Sequence, residues 1–315
     1  MSDEELIFSH VKHSPLKIVL RSWINSVGAL GMTVLTAGRA RYRAPFEVHY
    51  TSVPMPLNNL DPAFEGFRLV QLTDIHLGEK IPPAYLDRIV DRVNELGADL
   101  VAVTGDLVSH DGRYVGPVAD CLARLRAPVI ATFGNHDYNN TPHAWLSTEV
   151  ADALQQKLEA RGATVLRNQS IRIARGQAGL WIVGLEDLQS DRFSARLAFA
   201  GVNKSEPIIA LSHNPDTFFC LAHNGAQWVL AGHTHGGQIR LPGVRPLFLP
   251  VFYKQFDRGA FHNGAARMYV SRGVGCRIPV RFRCPPEVTT FVLSAKADLP
   301  PGSRAVAADT AIEYP

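Results

Sequence analysis

Five apolar runs in this chain each stop at a glycine or at a side chain that ligates metals, and that repetition narrows the folds open to it. Phe67 to Thr73 runs into Asp74-Ile75-His76, and Asp99 to Thr104 runs into Gly105-Asp106. Pro128 to Phe133 precedes Gly134-Asn135-His136-Asp137, Pro207 to Ser212 precedes His213, and Trp228 to Ala231 precedes Gly232-His233-Thr234-His235. Short apolar runs bounded by turn residues read as buried strands, and the carboxyl ends of neighbouring strands in α/β sheets converge on one crevice. The pattern predicts an α/β fold with polar donors gathered at one end of its strands. Glycines 105, 134 and 232 supply the tight turns that deliver the side chains after them.

Helical spacing fills the gaps in the front half. Pro82-Pro83 opens a segment in which Tyr85, Leu86, Ile89, Val90, Val93 and Leu96 share a face until Gly97 stops it. Thr141-Pro142 offers a cap and a first-turn proline for a helix towards Leu158, ending near Gly162, and Val118, Leu122 and Leu125 mark a shorter one. Beyond residue 163 the strand-like runs crowd together, so the back half is richer in strands. Residues 45–65, with Pro45, Pro54, Pro56 and Pro62, read as an extended lead-in. The expected organisation is an N-terminal segment 1–44, a catalytic domain 45–294 and a disordered tail 295–315.

The N-terminal segment carries a stripe, Leu16, Leu20, Trp23, Val27, Leu30 and Val34, with no charge between Trp23 and Gly38 and with Arg39, Arg41 and Arg43 after it. It is shorter than the ~20 apolar residues of a spanning helix. Two readings lead, a helix docked on the protein's own surface or a basic amphipathic helix lying on an anionic membrane, with a spanning helix or a secretion signal as the remaining alternative. A net charge of +3 on 315 residues provides no basic track for long nucleic acid. Cys121, Cys220, Cys276 and Cys284 form no CxxC pair and read as thiols, with a Cys276–Cys284 disulfide as the alternative in an oxidising compartment.

The strand-end donors suit two divalent cations held ~3.5–4 Å apart, which need a shared anionic ligand. Asp106, a lone carboxylate in the middle segment, is the candidate bridge. Asp74, His76 and His235 would complete one shell, and Asn135, His213 and His233 the other. Mixed imidazole and oxygen ligation favours Mn, Zn or Fe over Mg. His136 follows Asn135 directly and is assigned to leaving-group protonation or transition-state stabilisation. Asp137 would orient His136 or brace the turn. Arg272, Arg277, Arg281 and Arg283 would either grip phosphate or form a solvated face. Leu247 to Tyr253 would be core, or a surface for acyl chains.

This series, Asp74-x-His76, Gly105-Asp106, Gly134-Asn135-His136-Asp137, His213 and Gly232-His233-x-His235, resembles the calcineurin-like metallophosphoesterase family over residues 66–294. The resemblance implies a four-layer α/β/β/α sandwich with a dinuclear site at the strand ends. The surroundings of His213 and His235, with Ser271-Arg272-Gly273-Val274-Gly275 and Arg281 to Val288, are similar to a bacterial branch of membrane-associated phosphodiesterases. That branch includes UDP-2,3-diacylglucosamine pyrophosphatases of lipid A synthesis. The implied substrate is a phosphodiester or nucleotide-lipid, with a cytoplasmic domain held peripherally at the inner membrane. A generic phosphodiesterase, a nuclease and a non-catalytic metal-binding scaffold are the competing functions.

Overall fold

Alternation along the strands splits their side chains between separate cores. In β2 (Arg68–Leu72), β3 (Leu100–Thr104) and β4 (Val129–Thr132), Val70, Leu72, Val101, Val103, Val129 and Ala131 face one side, while Leu69, Leu100, Ala102 and Ile130 face the other. In β8 (Ile208–Leu211) and β9 (Trp228–Ala231) the same alternation sends Ile209, Leu211, Trp228 and Leu230 towards Leu69 and Leu100, and Ile208, Ala210, Val229 and Ala231 away. Both faces of these central strands are therefore buried, as near-continuous apolar strands require.

The computed structural model describes residues 38–109, 111–138, 148–246, 249–276, 278–295 and 299–307. Within them, one sheet runs β1-β12-β2-β3-β4-β5 and a second runs β13-β10-β11-β9-β8-β7-β6. The remaining strands are β1 (His49–Pro56), β5 (Thr164–Val165), β6 (Gln169–Arg175), β7 (Ala178–Gly184), β10 (Gly259–Asn263), β11 (Ala266–Val270), β12 (Glu287–Ser294) and β13 (Arg304–Ala305). Strands β2 to β5 are parallel to one another, as are β7, β8, β9 and β11. Helices Pro83–Glu95, Val115–Leu122 and Glu149–Glu159 cover the outer face of the first sheet through Leu86, Val90, Val118 and Leu154. Phe218, Phe219 and Leu221 of helix Phe218–His223 cover the second. The order of layers is α/β/β/α, as expected.

Several expectations need correction. The proline-rich lead-in is partly a strand: among the described residues β1 pairs only with β12, and an edge strand tolerates Pro54 and Pro56 because one side of its backbone needs no ladder partner. The tail is partly ordered too. Arg304 and Ala305 pair with Phe261 and His262, the Arg304 guanidinium lies 4.1 Å from the Phe261 ring centroid, and its Nη1 stands 2.7 Å from Asp257 Oδ1. The helix expected from Thr141-Pro142 is seen from Glu149; its proposed cap lies outside the described residues. The stripe from Leu16 to Val34, Arg277, Leu247 and Phe248 also lie outside them. All four cysteines are free and buried, so Cys276 and Cys284 are not bonded to each other. Among the described residues, no helix is long and apolar enough to cross a membrane.

Candidate metal centre

The strand ladders continue past the strands and fix the loops that follow. Asp74 N–H donates to Gly105 O at 3.0 Å, His76 N–H to Asp106 O at 2.9 Å and Leu77 N–H to Leu107 O at 2.9 Å. On the second sheet, Gly232 N–H donates to His213 O at 3.0 Å. These rungs bring the loops after β2, β3, β8 and β9 to one edge of the two sheets. Gly105, at φ +88°, and Gly134 stack so closely that a Cβ at Gly105 would stand 2.6 Å from Gly134 N and from His213 Nδ1. Their lack of side chains is what lets the two loops meet.

Two donor groups result. The ligand atoms of Asp74, His76, Asp106 and His235 lie within 4.8 Å of one another, as do those of Asp106, His213 and His233. One oxygen belongs to both groups: Asp106 Oδ2 is 3.3 Å from His76 Nε2 and 3.2 Å from His213 Nε2. His235 Nε2 stands 3.1 Å from His76 Nε2 and 3.2 Å from Asp74 Oδ1, and His233 Nδ1 stands 3.1 Å from His213 Nε2. Donors sharing one cation at bond lengths of about 2.0–2.2 Å lie roughly this far apart.

The histidine tautomers agree with ligation. His213 Nδ1 lies 2.9 Å from Thr104 O, so it carries the proton and leaves Nε2 with its lone pair. For His233 the roles reverse, with Nε2 lying 3.0 Å from Pro250 O and Nδ1 turned to the cluster. Asn135 Oδ1 is buried and has no hydrogen-bond partner among the described residues, which suits an oxygen donor to a cation. The residues present fit two metal ions.

Burial works to raise the Asp106 carboxyl, but His213, His136 and His76 outweigh it and hold the group well below the usual carboxylate range. Burial opposes protonation of His213, yet Asp106, Asp74 and Asp187 push it well above the ordinary imidazole value. A cation bound at Nε2 would take the place of that proton, because only the neutral imidazole can ligate. Asp74 is pushed up to about 6, chiefly by burial.

His136 lies beside the donors, its ring 4.9 Å from that of His76 at an interplanar angle of 79°. Its backbone N–H donates to Asp106 Oδ1 at 2.9 Å. Asp137 ties together the backbone of this turn and of the loop after β3. Its Oδ1 accepts from Leu107 N (2.9 Å) and Val108 N (3.2 Å), and its Oδ2 from Gly134 N (2.9 Å). Burial and the charge of Asp106 push Asp137 up to about 8, against the N–H donors. With both oxygens accepting N–H, its geometry is that of an ionised carboxylate.

Arg281 is a correction. It is fully buried, its Nη2 donating to the carbonyls of Arg272 (2.8 Å), Gly273 (3.2 Å) and Gly275 (2.6 Å) and its Nη1 to Cys284 O (3.2 Å). Sealed among backbone carbonyls, it holds the 272–275 segment and cannot grip a substrate. That segment in turn backs the site, since Val274 N–H donates to Thr73 O (3.0 Å) and Gly275 N–H to Asp74 O (2.8 Å). Arg272 runs past Gly236, next to His235, and its Nε donates to Glu287 Oε2 at 2.9 Å. Of the aromatic run, Leu249, Val251 and Tyr253 are core and Phe252 is 45% exposed. The carbonyls of Thr104 and Pro250, which orient two ligands, had no signal in the sequence.

A sequence model of the calcineurin-like phosphoesterases matches residues 67–237. The chain belongs to that family. It is 32% identical over 279 residues to the uncharacterized metallophosphoesterase YkuE of Bacillus subtilis, covering 85% of this chain and 94% of the relative. It is 32% identical over 235 residues to the phosphodiesterase YaeI of Escherichia coli, covering 72% and 82%. The UDP-2,3-diacylglucosamine pyrophosphatase LpxG of Chlamydia trachomatis is 29% identical over 309 residues, covering 82% and 93%. As a metallophosphoesterase, the chain is a hydrolase of a family that uses divalent cations.

Proposed function

We propose that the chain hydrolyses a phosphodiester or pyrophosphate bond in a lipid-linked substrate, using two divalent cations. The observation that carries this is the shared Asp106 oxygen, equidistant within 0.1 Å from a histidine of each donor group. Bound there, the cations would supply an acidified water as nucleophile and neutralise charge on the phosphate oxygens. Asp74 and Asp106 are the only carboxylates in the two donor groups, so a net positive charge would remain to attract phosphate. The amide of Asn135 preserves that charge where a carboxylate would cancel it.

His136 would protonate the departing oxygen or stabilise the phosphoryl oxygens, its loop fixed by Asp137 and its N–H tied to Asp106. Arg272 would contribute a guanidinium at the His235 side of the centre. The lipid-linked substrate is supported by the likeness to LpxG, and the diester chemistry by that to YaeI. Peripheral membrane association through the N-terminal stripe, and its inner-membrane location, rest on the sequence pattern.

Incubation of the Mn- or Zn-loaded protein with UDP-2,3-diacylglucosamine beside a simple nucleotide diester tests the reading. UMP release from the lipid alone is expected. Cleavage of the simple diester alone would replace it with a generic phosphodiesterase. Two bound metals with no turnover of any phosphoester would remove the enzymatic reading.

A further inference from the structure

Arg167 lies between β5 and β6, remote in sequence from every strand-end donor, yet its guanidinium reaches the loop that carries Asn135 and His136. Its Cζ is 5.8 Å from the ring centroid of Phe133 and 5.8 Å from that of Tyr138. These two buried aromatics bracket Gly134-Asn135-His136-Asp137, and their rings meet edge-on at 6.3 Å. The edge of the guanidinium is held from two other elements. Nε donates to Glu186 Oε1 at 2.8 Å, beyond the end of β7, and Nη1 to Asp152 Oδ1 at 2.6 Å and Gln155 Oε1 at 3.2 Å on helix Glu149–Glu159. Glu186 is itself buried.

A planar cation anchored along its edge can lie against two rings at once, which a lysine ammonium cannot do. We infer that Arg167 is a positioning residue for His136: through Phe133 and Tyr138 it fixes the loop that sets the imidazole against His76. The inference rests on the proposed role of His136 in turnover.

A double-mutant cycle tests it, with kcat and KM measured on bis(4-nitrophenyl) phosphate and bound metal measured by elemental analysis. Arg167→Ala and Arg167→Lys should each lower kcat about 10- to 100-fold with KM and two bound metals retained, the scale of losing an outer-shell orienting group. In a His136→Ala background, Arg167→Ala should lower kcat no further. Multiplicative losses in the two backgrounds, full rescue by Arg167→Lys, or loss of a metal ion would each overturn the inference. Unfolding temperatures of the variants, all assayed below them, separate misfolding from mispositioning. If His136→Ala alone leaves kcat unchanged, the role given to His136 fails; a falling kcat with an additive cycle defeats only that of Arg167.

Discussion

Asp74, His76, Asp106, His233 and His235 all have φ between 49° and 69°, the left-handed region that residues with a side chain avoid. Each such residue costs about 1–2 kcal/mol; rungs between the loops after β2 and β3 hold Asp74, His76 and Asp106, while the loop after β9 is tied by Gly232 N–H to His213 O and by His233 N–H to the Asp74 carboxylate. The reward is orientation, since a reversed backbone turns the side chain towards the strand ends. Asp106→Asn should lower kcat/KM by more than the roughly 10- to 100-fold typical of outer-shell changes and reduce bound metal below two ions, measured by elemental analysis. His136→Ala should keep both ions while kcat falls about 10²- to 10⁴-fold, the range of a lost general acid. The donors were legible because a polar side chain at the end of an apolar run has few other uses. Arg281 was not, for nothing local in the sequence tells that its guanidinium is surrounded by carbonyls.

At the scale of elements, strands β2, β3, β4, β8 and β9 were readable from apolar runs, and helix Pro83–Glu95 from its spacing. Strand β1 was hidden by prolines that only an edge position excuses, and β13 by a two-residue pairing that depends on Phe261 and Asp257 far away. The loop after Pro250 depends on Asp216, whose carboxylate accepts Tyr253 N–H at 3.0 Å and that of Phe252 at 2.6 Å. Burial pushes Asp216 up to about 6, above its unfolded value, although those N–H groups pull the other way. The fold therefore binds the proton more tightly than the unfolded chain. Its contribution to stability is full below about pH 4 and is lost as pH rises towards 6, a change of roughly 3 kcal/mol. Asp216→Asn removes that dependence. Urea unfolding should show the variant gaining on the parent by about this amount between pH 4 and pH 7, on top of a constant offset for the altered hydrogen bonds.

For the whole molecule, the central core between the sheets holds Met55, Leu69, Trp228 and Phe291, and buried polar links cross the same space. Gln71 Nε2 donates to Thr104 Oγ1 at 2.8 Å and to Ala231 O at 3.1 Å, and Trp228 Nε1 donates to Pro56 O at 2.8 Å. Metal ions bound at the edge of that seam would stabilise only the folded form. At free ion about 100-fold above Kd the gain is ~2.7 kcal/mol, which for a domain of this size raises Tm by roughly 5 °C or more. Scanning fluorimetry with and without chelator should show that difference, and Asp106→Asn should reduce it.

The first sheet supplies Asp74, His76, Asp106 and Asn135, while the second supplies His213, His233 and His235. A chain divided between β5 and β6 would give two pieces, each with an incomplete set of ligands. Metal retention on mixing such fragments would then act as a gauge of reassembly, appearing only when the halves have docked in register.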